Sequence, residues 1–206
     1  MGRGRAIVRQ SGKRGFYLHS LFRMKAALVP LLRESLELGR AFVREEYQKQ
    51  PLPLALLWKG IAEYLARHPE CRYLIGPVSI SHRFSAVSKA VMVEYLQRHF
   101  SDPELAALVQ PRKQFRYRPL DGAATPETLQ AGLESVQDLQ KLITGLEPGG
   151  SGVPVLLRQY LKQNARLIGF NLDPHFSNAL DGFMVLDARE LPARTHRLLS
   201  RYSPET

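Results

Sequence analysis

The sequence predicts a mixed α/β (α+β) fold in which one domain, residues 1–206, is built on a central sheet flanked by helices. Three observations carry this expectation. Apolar runs of strand length alternate along the chain with amphipathic runs of helical length. The stretch from Ser35 to Tyr64 reads as strand, polar turn and helix in succession. The composition, 44% hydrophobic and 23% charged, is that of an ordinary globular core with a polar surface.

In chain order, Arg5 to Arg9 (RAIVR) reads as a short strand and Ser11 to Gly15 as a turn. Gly15 to Phe22 (GFYLHSLF) reads as a second strand running into a short element. Met1 to Lys25 carries Arg3, Arg5, Arg9, Lys13, Arg14, Arg23 and Lys25 and no acid. That is either an edge facing phosphate or membrane or a solvated end. Pro30 interrupts Lys25 to Arg33, so a helix there should end or kink near Val29.

Leu36 to Val43 is the expected central strand, with Glu37 and Arg40 set among apolar residues. Three apart, they point to opposite faces of an unbroken strand, and a bulge at Gly39 would bring them round. A loop from Arg44 to Pro53 leads to a helix over Leu54 to Arg67, whose apolar face carries Leu57, Trp58, Ile61, Tyr64 and Leu65. Cys71 to Ile80 is the next strand. Its Gly76-Pro77 step requires the second half to turn away or lie on an edge.

Ser81 to Phe100 is strongly helical, and Asp102 should cap the short helix that begins at Pro103. Pro111 to Arg118 (PRKQFRYR) interleaves basic and aromatic residues. This fits a connecting strand with one wetted face better than a nucleic-acid contact. Thr125 to Leu146 is expected as one helix, capped by Thr125. After a Pro148-to-Gly152 break come a helix over Pro154 to Asn164, a strand over Ala165 to Leu172, a loop from Asp173 to Asn178, and a last strand over Gly182 to Leu186.

Composition excludes several classes. No run of eighteen apolar residues is present, so no membrane-spanning helix is expected. The lone Cys71 cannot form an internal disulfide framework or a cysteine-based zinc site, which fits a reducing, cytoplasmic compartment. The six histidines (19, 68, 82, 99, 175 and 196) do not pair at metal-ligand spacing, and no metal or bound cofactor is expected. Phosphate-loop, dinucleotide, zinc-protease and serine-hydrolase signatures are missing. The net charge of +10 favours an anionic partner without choosing one.

Three stretches together resemble a known family: ELGRAFVREEYQKQPLPLALLWKGIAEYL (37 to 65), YLIGPVSISHRFS (73 to 85) and VPVLLRQYLKQNARLIGFNLDPHFSNALDGFMVLD (153 to 187). They are similar to the GNAT-like lipid N-acyltransferases of the lyso-ornithine-lipid synthase type, often labelled hemolysin. The resemblance covers about Arg5 to Pro192. It implies a GNAT-like fold with a mostly antiparallel central sheet. It also implies transfer of a 3-hydroxyacyl chain from acyl carrier protein to the amine of an amino acid such as ornithine or glycine. The carrier protein and the amino-acid acceptor are then the expected partners. Peripheral contact with the anionic inner membrane is expected too, and nucleic acid is not.

In this reading Glu37 takes the amine proton and Arg40 holds the substrate carboxylate or locks Glu37, although a buried structural ion pair would look the same. Asp173 and Asp181 match the family's late acidic loop. Asp181 would orient the amine, or either Asp would cap the loop. Ser79 and Ser81 face the donor cleft. Two departures stand out. The turn Arg44 to Gln50 has none of the glycines that cradle a coenzyme A pyrophosphate, which favours acyl carrier protein over acyl-CoA as donor. The family also has a further portion ahead of what corresponds to Arg5. Two alternatives follow: a non-catalytic basic remnant binding membrane or nucleic acid, and a CoA-dependent small-molecule N-acetyltransferase.

Overall fold

The structure is a computed structural model that describes residues 2–39, 44–47, 50, 52–118, 124–193 and 195. Sixteen regular elements are enough to place the site. They are β1 (Gly2–Arg3), α1 (Gly4–Ser11), α2 (Leu18–Leu21), β2 (Phe22–Met24), α3 (Val29–Arg33), β3 (Ser35–Glu37), α4 (Leu52–Arg67) and β4 (Tyr73–Ile80). The second half contributes α5 (Ala86–His99), α6 (Pro103–Ala106), β5 (Val109–Pro111), α7 (Pro126–Gln130), α8 (Val136–Leu146), α9 (Val155–Leu161), β6 (Arg166–Asp173) and β7 (Ala179–Asp187).

The main sheet runs in the order β1-β3-β4-β7-β6, and β2 pairs with β5 in a separate two-stranded ribbon. Among the described residues only β3 and β4 run parallel; the other described pairs are antiparallel. A parallel neighbour needs a crossover, and α4 supplies it. The expected mixed fold with a mostly antiparallel sheet is the one observed.

Both faces of the sheet are covered, which is why β7 is buried along nearly its whole length rather than in alternation. On one face Leu36, Leu74, Val78, Met184 and Leu186 pack with residues of α4, α5, α8 and α9. On the other, Ile75, Ile168, Phe183 and Val185 meet Phe16, Leu18, Phe22, Leu28 and Leu32. Glu37, Ser79 and Asp181 share the parity of this second face.

Gly76 and Leu38 mark where the described pairing of β3 and β4 ends. The last described bond between them runs from Leu38 N–H to the Ile75 carbonyl, at 2.7 Å. A side chain on Gly76 would sit 2.3 Å from the Leu38 carbonyl oxygen, so only glycine allows this approach. Pro77 follows, with no N–H to offer. β4 stays unbroken through Ile80, held by β7 alone among the described residues. Of the two outcomes expected at Gly76-Pro77, the turn is not found, since β4 runs on to Ile80.

Several expectations are corrected. Arg5 to Arg9 is helical, not extended. Helical spacing sets Gly4 on the core side with the half-buried Ile7 and Val8, and a run this short fits either period. A Cβ on Gly4 would lie 1.7 Å from the Leu32 carbonyl, so α1 begins jammed against the α3–β3 junction. Gly15 to Phe22 is not a strand: α2 takes up Leu18–Leu21 and extension starts only at Phe22. The helical turn over Ala26–Leu28 does end at Val29 as expected, but α3 starts anew there, with Pro30 in its first turn, where the missing N–H costs nothing. Thr125 to Leu146 is two helices: Gly132 (φ 84°) breaks the run, and Ser135 caps α8 by accepting the Asp138 N–H. Asp102 and Thr125 cap as expected. β3 ends at Glu37, and residues 40–43 of the expected strand lie outside the described residues.

Among the described residues, no helix is long and apolar enough to cross a membrane.

Candidate functional site

Glu37 ends β3 on the covered face and is 7% exposed. Its two carboxylate oxygens each accept a backbone N–H, Oε2 from Tyr17 at 3.0 Å and Oε1 from Leu18 at 2.9 Å. These are the first amides of α2, which the carboxylate therefore caps from another strand. Burial pushes the Glu37 carboxyl above its ordinary range, and the two amide bonds pull part of the way back. Its expected companion Arg40 lies outside the described residues.

Further along the same face, three polar side chains stand in register across the sheet. Ser79 on β4 is opposite Asp181 on β7, and Asp181 is opposite Asn171 on β6. The Ser79 hydroxyl donates to Asp181 Oδ1 at 2.5 Å. Asp181 is 3% exposed whereas Ser79 is open to solvent, so the hydroxyl stands at the mouth of a buried carboxylate. Burial raises the Asp181 carboxyl; the Ser79 bond lowers it, and the charge of Asp173 raises it again. Asn171 is tied to backbone: its Oδ1 accepts the Lys113 N–H at 2.8 Å and its Nδ2 donates to the Leu172 carbonyl.

Asp173, two residues beyond Asn171, is buried and accepts the His175 N–H at 2.8 Å, which folds the β6–β7 turn. Loop capping is thus one observed role of Asp173. It still lies close enough to Asp181 for their charges to interact. Ser81 is the first residue after β4, and its hydroxyl accepts the Arg83 N–H at 3.2 Å in the turn leading to α5.

The fold therefore brings Ser79, Asp181 and Asp173 together and leaves Glu37 apart. Glu37 pairs with Ile75, four residues before Ser79, which is about 13 Å along the strand. Asn171 escaped the sequence reading. Its signal was the register of the β6–β7 hairpin, which sets residue 171 opposite 181 once the turn over 174–178 is known. No three His, Cys, Asp or Glu side chains among the described residues come together as a metal site.

A buried carboxylate reached through an exposed hydroxyl can take a proton from an amine, as acyl transfer to an amine requires. Comparison with known proteins points the same way. Residues 2–59 match the acetyltransferase (GNAT) domain family. The chain is also 25% identical over 168 residues to a glycine N(alpha)-acyltransferase of Bacteroides thetaiotaomicron. That alignment covers 78% of this chain and 49% of the relative, so the chain spans about half the length of the curated protein it matches. Both support a GNAT-type acyltransferase. No solved structure matches the chain.

The family match takes in β1 through the first half of α4. It therefore holds β3 with Glu37, while Ser79 and Asp181 lie beyond it. The longer alignment to the glycine acyltransferase accounts for most of the remainder.

Proposed function

We propose that this chain transfers a long acyl group, of the 3-hydroxyacyl type, from acyl carrier protein to the α-amine of an amino acid such as glycine or ornithine. The observation that carries the proposal is the Ser79–Asp181 pair, four residues along β4 from the last described register pair with β3. The far half of β4 is proposed to offer backbone groups to the amide-bearing arm on which a carrier presents its thioester. Asp181 then meets the amine through the Ser79 mouth.

The amine nitrogen attacks the thioester carbonyl, forming the C–N bond. Its proton passes to the Asp181 carboxylate, the C–S bond breaks, and the thiolate leaves and is protonated. We assign the proton to Asp181 rather than Glu37, because both Glu37 oxygens already hold the Tyr17 and Leu18 amides. Glu37 is a positioning residue in this reading, fixing the segment at Tyr17 and Leu18 against the end of β3. Arg40, one residue beyond Gly39, is proposed to hold the acceptor carboxylate. Ser81 is proposed to fix the turn at the far end of the β4 edge. The name of the glycine acyltransferase relative supports the acceptor class.

A second reading, acyl-CoA as donor, is favoured by the match to an acetyltransferase family. The glycine-free turn at Arg44 to Gln50 favours the carrier protein. The deciding experiment presents one 3-hydroxyacyl chain on carrier protein and on CoA to a panel of amino acids. Wild type, Asp181→Asn and Glu37→Gln are compared. Transfer to glycine or ornithine from the carrier-bound donor, lowered about 100-fold or more in Asp181→Asn, is expected. A folded wild-type protein that acylates no amino acid from either donor overturns the function. Full activity in Asp181→Asn overturns the assigned base.

A further inference from the structure

A cleft lies at the opposite end of the sheet, where β3 and β4 begin. Seven residues of β4, about 23 Å, separate Arg72 at its wall from Ser79. The cleft has two adjoining lobes of about 670 and 830 Å³ that share Arg5, Arg9, Arg33 and Glu70, within the usual size of small-ligand sites. Arg3, Arg72 and Arg189 complete its basic lining, and no lysine contributes.

Its acids are Glu34 and Glu70. Glu70 is engaged by His68 Nδ1 at 3.1 Å, and Arg72 is committed to Asp187 through Nε and an Nη at 2.9 and 2.6 Å. Arg5, Arg9 and Arg33 are exposed and make no ion pair or side-chain hydrogen bond among the described residues.

Folding gains nothing from this grouping. Arg5 and Arg9 are like charges four residues apart on α1, a spacing that weakens a helix. An anion seated among them would reverse that balance. Guanidinium groups, unlike ammonium groups, grip a tetrahedral oxyanion through two parallel N–H bonds.

We infer that this cleft binds the phosphate group of a ligand distinct from the acyl donor, through Arg5, Arg9 and Arg33. The phosphate belongs either to a soluble metabolite or to a lipid headgroup. The inference does not rest on acyl transfer, since it concerns the other end of the sheet and is read by binding alone.

Two probes separate the sources. Inorganic pyrophosphate is titrated calorimetrically at low salt, and sedimentation is followed with phosphatidylglycerol vesicles against phosphatidylcholine vesicles. The cleft triple Arg5→Gln, Arg9→Gln, Arg33→Gln is compared with a charge-matched triple outside the cleft, Arg23→Gln, Arg98→Gln, Arg116→Gln. All six side chains are exposed, so both triples should fold. Arg33→Gln alone is the fallback.

Wild type should bind at least one probe. The cleft triple should lose about tenfold or more, and the outer triple no more than about threefold. Pyrophosphate binding assigns a soluble ligand, and vesicle binding without it assigns a headgroup. Equal losses in the two triples, or no binding of either probe by wild type, overturn the inference.

Discussion

The Ser79 hydroxyl donates to Asp181 across the β4–β7 pairing, from an exposed side chain to a carboxylate that is 3% exposed. The hydroxyl favours the ionised carboxylate and burial opposes it, so the serine sets how far the acid is raised.

Removing that donor should show in the pH profile. In Ser79→Ala the Asp181 carboxyl loses the bond that lowers it and titrates at higher pH. The acidic limb of kcat/KM for amino-acid acylation should therefore move to higher pH, and Ser79→Thr should move it back. A limb unmoved in Ser79→Ala would remove Asp181 from the proton transfer.

Asp181 also bears on stability. Its carboxyl is raised in the folded protein, so its contribution is full below the unfolded value and is lost as pH rises through the folded one. Asparagine carries no charge there and can still accept the Ser79 hydroxyl. Asp181→Asn should melt a few degrees above wild type near neutral pH, and the gap should close toward about pH 4. Calorimetry across that range checks it. A variant less stable at neutral pH contradicts the burial cost.

Gly76 is the mechanical point of the sheet. Gly76→Ala puts a methyl against the Leu38 carbonyl, and backbone cannot swing aside as a side chain can. The substitution should cost about 1–3 kcal/mol in urea unfolding. By pushing β4 off Leu38 and shifting Ser79 along with it, the substitution should also slow acyl transfer more than the loss of folded protein explains. A neutral Gly76→Ala would mean that the two strands have room to spare.

Much of this architecture was legible in the residues. α4 and α5 announced themselves by apolar spacing, α9 by the proline that starts it, and β6 and β7 by apolar runs separated by a polar turn. Asp102 and Thr125 were readable caps because the carboxylate or hydroxyl acts on its own helix. What failed were segments governed by distant partners. Gly15 to Phe22 has a strand-like composition, yet Glu37 draws the Tyr17 and Leu18 amides into a turn from nineteen and twenty residues away. The site divides the same way. Asp181 and Ser79 could each be singled out by type and place, but their contact is a matter of register between β4 and β7. Asn171 became visible only once that register was known.

The Ser79–Asp181 bond joins positions 102 residues apart, and Arg72 reaches Asp187 across 115. Loops of that length close late, so a sheet held by such pairings belongs among the slower folders. Until β7 docks on β4, Asp181 is an ordinary solvated acid with no hydroxyl beside it. A nascent or half-folded chain would thus carry all of these residues and none of their chemistry, so competence should appear only with the last strand.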